Sequence, residues 1–201
     1  MPDKLIKGAQ EFKDEQFASD DGVLPTLAKE GQNPRNFIIS CIDSRCNPGT
    51  IFKAAPGSFF SHKAMGAIVR PYQKGTALAA ALQFALNYNH VENIIVLGHT
   101  GCGAVKALID DLDDEEIKPF VNTAQTALKR AREKEAEQGI QACAEEETIL
   151  TSVENLKSYP SVKKAVDEQR ITLQAWKYDI SSGNLFIYDE ARAAFTNVMH
   201  H

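Results

Sequence analysis

The segment Asn93-Ile-Ile-Val-Leu-Gly-His99 passes through Thr100 and Gly101 straight into Cys102-Gly-Ala-Val-Lys-Ala-Leu-Ile. An apolar run without alternation is a strand buried on both faces, and a helix-forming stretch directly behind it predicts a strand-to-helix turn. Two more short runs repeat the theme. Asn36-Phe-Ile-Ile-Ser-Cys41 follows turn chemistry at Gly31-Gln32-Asn33-Pro34, and Ser58 to Ala64 follows Pro56-Gly57. Gly75 to Asn89, rich in Ala and Leu, has helical spacing, whereas Ile171 to Asp179 and Leu185 to Tyr188 read as strands about the hairpin turn Ser181-Ser182-Gly183-Asn184. Strands separated by helices need a covered, mainly parallel sheet. The expectation is an α/β fold: four parallel strands plus an antiparallel edge strand, flanked by helices.

Residues 1–30 read as an N-terminal helical arm, with Leu5, Ile6, Phe12 and Phe17 on a surface helix packed along one side. Asp110 to about Val166 reads as helical almost throughout. It opens on the acidic run Asp110-Asp-Leu-Asp-Asp-Glu-Glu116 as a solvated helix start, continues through the charged segment 129–138 and breaks at Gly139. No repeat, linker or low-complexity tract divides the 201 residues, so a single domain, 1–201, is expected.

No apolar run reaches the roughly 20 residues that span a bilayer. The net charge of −5, without a Lys/Arg stripe, argues against nucleic acid as a partner. The opening residues lack a secretory signal, which points to the cytoplasm, although a chain relieved of a transit peptide would read the same. Four cysteines in such a chain suggest metal or redox chemistry before disulfides. The closing His200-His201 carry no weight, since a tag would look the same.

Sites in open α/β sheets gather at the carboxyl ends of strands, where Cys41 and the His99–Cys102 turn both fall. Two thiolates and an imidazole suit tetrahedral zinc with one position open. His-x-x-Cys alone is a weak signal, but Cys41-Ile-Asp43-Ser-Arg45 sets a carboxylate and a guanidinium beside the proposed ligand. Arg45 would keep Asp43 ionised and aimed, leaving it able only to accept a hydrogen bond. A structural Asp-Ser turn is the competing reading of that segment.

Together, Cys41-Ile-Asp43-Ser-Arg45 and Gly98-His99-Thr-Gly-Cys102-Gly103 resemble the paired motifs of β-class carbonic anhydrases, and the likeness runs along nearly the whole chain. The resemblance implies one Zn2+ per chain on Cys41, His99 and Cys102, with Asp43 and Arg45 orienting a zinc-held hydroxide for attack on carbon dioxide to give bicarbonate and a proton. It implies substrate contacts from Gln32, Phe60, Phe84 and Gly103, the last through its backbone N–H. It also implies a homodimer or higher even homo-oligomer with sites at subunit interfaces. Two thiolates cancel the metal's charge, so hydration should favour alkaline pH. The family's common Val-Val-Arg-Asn-Ala is here Ser61-His62-Lys63-Ala64-Met65, which puts in question the local support of the site. His62 reads as a strand residue in preference to a proton shuttle.

Two other readings compete. A zinc hydrolase of carbonyl sulfide or carbon disulfide on the same scaffold would use the same attack. A structural zinc or thiol module would need neither Asp43 nor Arg45. Cys46 and Cys143 read as ordinary thiols, and Gly98 to Gly103 is not a dinucleotide fingerprint.

Overall fold

The computed structural model describes residues 2–134 and 139–199, so His200, His201 and the last part of the 129–138 segment lie outside it. The sheet contains β1 (Asn36–Cys41), β2 (Phe59–Ala64), β3 (Asn93–His99), β4 (Thr172–Tyr178), β5 (Leu185–Asp189) and β6 (Ala194–Asn197), in the spatial order β2-β1-β3-β4-β5-β6. The first four in that order run parallel, and β5 and β6 add antiparallel. The expected α/β architecture is present, with one strand more than expected beyond β5.

The central strands explain the two-sided burial. Five of the six residues of β1 and six of the seven of β3 are buried. Phe37, Ile39, Ile94 and Val96 face one core, whereas Ile38, Ile95 and Leu97 face the other. Each fully buried aliphatic side chain contributes about 1.5–3 kcal/mol. Helices α4 (Ala77–Asn87) and α9 (Pro160–Asp167) supply the first core, while α5 (Gly103–Ile109) and α7 (Gln125–Lys134) supply the second. Helix α8 (Gly139–Leu156) contributes Ile149 and Leu156 to one core and Cys143 and Ala144 to the other. Gly98 lets α8 approach, because a Cβ there would lie 2.5 Å from Cγ1 of Ile149.

Local chemistry sets the element ends. The Asn47 side chain accepts from Gly49 N to start α3 (Pro48–Ile51), and Thr76 caps α4 through Ala79 N. The β4–β5 turn closes through Asp179 N to Asn184 O, with Gly183 at φ 77°. Gly139 at φ 79° opens α8, in keeping with a break there.

Two local expectations need correction. The acidic run is a loop between α5 and α6 (Ile117–Val121), not a helix start. Its one apolar residue, Leu112, is exposed, so no buried face draws the run into a helix. Asp114 instead accepts from the amides of Glu116 and Ile117 at the entry to α6. The arm is helical as α1 (Pro2–Gln16) and α2 (Val23–Glu30), but α1 buries nothing, and Leu5 remains 78% exposed. Its apolar residues Leu5, Ile6 and Phe12 all remain exposed.

Candidate metal centre

Parallel pairing of β1 and β3 ends both strands at one level, with Cys41 closing the first and His99 the second. Cys102 stands at the N-cap of α5, two turn residues further on. All three are at least 96% buried, and their ligand-capable atoms lie within 4.8 Å of one another. Nδ1 of His99 is 2.9 Å from the Thr100 carbonyl, so that nitrogen carries the proton and donates it. Nε2 is buried and has no hydrogen-bond partner among the described residues. A buried, unpartnered imidazole lone pair beside two sulfurs fits a metal ligand.

The thiols act on each other. Hydrogen bonding from the Cys102 thiol lowers the Cys41 thiol well below its ordinary range, helped by the amides of Asp43 at 3.4 Å and Gly66 at 3.3 Å. Cys102 is pushed upward, first by that same bond and then by burial. Removing both protons therefore calls for a cation between the sulfurs, which is what a thiolate-binding metal supplies. For His99, burial lowers the proton affinity, but the Cys41 sulfur and the Thr100 carbonyl raise it further, and the net direction is upward.

Asp43 and Arg45 form a bidentate pair, Nε to Oδ1 at 3.0 Å and Nη2 to Oδ2 at 2.7 Å. The Arg45 amide adds a third bond to Oδ1 at 2.9 Å. The guanidinium, followed by that amide, outweighs burial and holds the Asp43 carboxyl well below the usual carboxylate range. This carboxylate stays an acceptor at any working pH.

Groups distant in the chain brace this trio, and the sequence reading missed most of them. Glu145, 4% exposed on α8, accepts the Cys102 amide at 2.9 Å and Gln141 Nε2 at 2.6 Å, while Gln141 Nε2 also reaches the Cys102 carbonyl at 3.3 Å. Asp179 accepts from Thr100 Oγ1 at 3.0 Å and ties the residue after His99 to the β4–β5 turn. Lys63 Nζ donates to the carbonyls of Cys41 at 2.8 Å and Cys46 at 2.7 Å. A carboxylate on a charged helix gives no sequence signal that it is buried against a ligand residue.

Gly103 opens α5 beside Cys102 and is exposed. Gln32, Phe60 and Phe84 stand elsewhere within the single chain. Gln32 precedes β1 at the end opposite Cys41, and the strand alone spans roughly 16 Å. Phe60 pairs in register with Phe37 and packs against Phe84, which stacks on Tyr88. Asn89, just beyond the helix that carries Phe84, donates to the Gln32 carbonyl, which sets Gln32 at that end of α4. His62 is half-buried in β2, and burial lowers its proton affinity. Cys46 is fully buried, its thiol pushed up to about 11 by burial, and Cys143 is buried in α8.

The family model for carbonic anhydrase matches residues 36–185, a span holding the trio and the Asp43–Arg45 pair. The chain belongs to the β-class carbonic anhydrases. Carbonic anhydrase from Synechocystis sp. is 32% identical over 195 residues, covering 92% of this chain and 70% of that protein. Carbonic anhydrase 1 from Escherichia coli O157:H7 is 30% identical over 200 residues, covering 96% and 90%. The solved β-carbonic anhydrase CcaA superposes with a TM-score of 0.88 at 28% identity, over 99% of this chain and 92% of that one. A structure described as one of two tetrameric β-carbonic anhydrases from Sordaria macrospora agrees in fold, with a TM-score of 0.76 at 20% identity over 98% and 94%. In this β-carbonic anhydrase no helix among the described residues is long and apolar enough to cross a membrane.

Proposed function

We propose that this carbonic anhydrase hydrates carbon dioxide reversibly, using one zinc ion held by Cys41, His99 and Cys102. The observation that carries the reading is the unpartnered Nε2 of His99, buried within 4.8 Å of two sulfurs and next to an ionised carboxylate. Zinc, when bound, supplies the Lewis acidity that makes water nucleophilic near neutral pH. Asp43 accepts a hydrogen bond from the attacking hydroxyl and so turns its lone pair toward the carbon. Arg45 holds both carboxylate oxygens and prevents rotation of that acceptor. Gly103 offers an amide at the start of α5 to the bicarbonate product. The released proton passes to buffer.

Gln32, Phe60 and Phe84 act in a second copy of the chain, completing a site across a homodimer interface. The Phe60–Phe84 contact, the tie of Gln32 to the end of α4, the 53% exposure of Phe84 and the exposed apolar residues of α1 support this assignment. The four cysteines are all free and buried, which agrees with a reducing compartment such as the cytoplasm.

Stopped-flow hydration of carbon dioxide across pH, with zinc content measured on the same sample, tests the reading. About one zinc per chain and activity rising toward alkaline pH are expected, both lost in Cys102→Ala. A zinc-loaded but inactive wild type refutes it and makes carbonyl sulfide and carbon disulfide the substrates to try.

A further inference from the structure

We infer that Lys63 is the positioning residue of the Asp43–Arg45 pair, clamping the loop that carries it from both ends. This inference rests on the carbonic anhydrase reading for its catalytic consequence but not for its geometry. Lys63 lies opposite Ser40 in the β1–β2 register, one step before the strand releases Cys41 into the loop. From there a single ammonium reaches the carbonyl of Cys41 at 2.8 Å and that of Cys46 at 2.7 Å. Only Ile42, Asp43, Ser44 and Arg45 lie between those two residues.

Inside the clamped loop the bonds are short-range: Cys46 N to Asp43 O at 3.0 Å and Arg45 N to Asp43 Oδ1 at 2.9 Å. These bonds shape the turn but do not fix it to the sheet. Ile42 N to Ala64 O, at 3.2 Å, anchors the entry side only. At the exit Cys46 is fully buried and its thiol reaches the Leu97 carbonyl only at 4.0 Å, and Lys63 adds the charged anchor there, its charge strengthening both bonds. The position that departs from the common Arg-Asn pair therefore has a support function of its own. An ammonium with three freely directed donors meets two converging carbonyls without needing a planar fork.

The test compares Lys63→Met, which keeps the stem and removes the donors, with Lys63→Arg, which keeps charge and donors. Amide hydrogen exchange at Arg45 and Cys46 should quicken about tenfold or more in Lys63→Met, since bonds to charged groups are worth at least that factor. In hydration assays kcat should fall about tenfold with KM and zinc content held, because strand pairing opposite Ala64 still holds Cys41 while the loop beyond it, with Asp43, is freed. Lys63→Arg should restore most of the protection and the rate. Wild-type exchange at those two amides in Lys63→Met overturns the clamp, whatever the activity. Faster exchange with unchanged kcat overturns the positioning role, and equal losses in both variants overturn the hydrogen-bond assignment. An inactive wild type strikes the carbonic anhydrase reading alone, because exchange still decides whether Lys63 holds the loop.

Discussion

Replacing Glu145 by Ala should be among the most damaging single changes that leave every proposed ligand and the Asp43–Arg45 pair in place. Its Oε1 accepts the Cys102 amide at 2.9 Å and Gln141 Nε2 at 2.6 Å in a site only 4% exposed. Truncation leaves the buried amide without an acceptor, at about 1–3 kcal/mol, and deprives Gln141 of a bond worth about 1 kcal/mol. The combined loss is about 2–4 kcal/mol, a drop of roughly 10 °C in Tm for a chain of this size. Glu145→Gln keeps an oxygen acceptor and should lose less than half as much. Urea unfolding of the zinc-free protein at fixed protomer concentration measures the loss. Chelator competition should show a metal affinity about 10–100-fold weaker in Glu145→Ala, because Cys102 is no longer held from behind. An Ala variant within about 0.5 kcal/mol of wild type refutes the reasoning, as does a Gln variant equally damaged.

Asp43→Asn should retain zinc by elemental analysis yet lose about a hundredfold in kcat by stopped flow, since the amide cannot hold the acceptor role opposite Arg45. Gly98→Ala should destabilise by about 1–3 kcal/mol through the contact with Ile149, and adding Ile149→Ala in the same chain should recover part of the Tm lost by Gly98→Ala relative to Ile149→Ala alone. Hydrogen bonds, led by those from Ser182 and Ser181, hold the Asp179 carboxyl below the usual carboxylate range. A carboxyl depressed in the fold stabilises it fully above its unfolded pKa of about 3.9, and that contribution is lost as pH falls toward the folded value. Tm measured from pH 7 to pH 3 should therefore fall less steeply in Asp179→Asn than in wild type below about pH 4.

The parts of this molecule that sequence reveals are those whose role is set locally. β1 and β3 were legible to the residue because an apolar run buried on both faces has few other uses. Cys41, His99 and Cys102 were legible because strand ends in such sheets converge. β6 was not, since Ala194-Phe-Thr-Asn197 carries one large apolar residue and owes its strand to pairing with β5. The acidic loop misled because its composition suits a helix start, while tertiary structure leaves it no face to bury. Glu145 and Gln141 escaped because their burial depends on α8 crossing behind Cys102, a contact made over 43 and 39 residues.

Mounting Cys41 on β1 and His99 on β3 also governs how a metal would leave. Both strands are flanked on either side by hydrogen-bonded neighbours and covered above and below, so neither frays at an edge. Neither strand gives up its ligand without parting the middle of the sheet, an event near the global unfolding limit, so the easier exit is through Cys102 on the turn before α5. Loss of a metal would then begin at Cys102, and the rate at which a chelator strips it would time the opening of that one turn while the sheet stays closed.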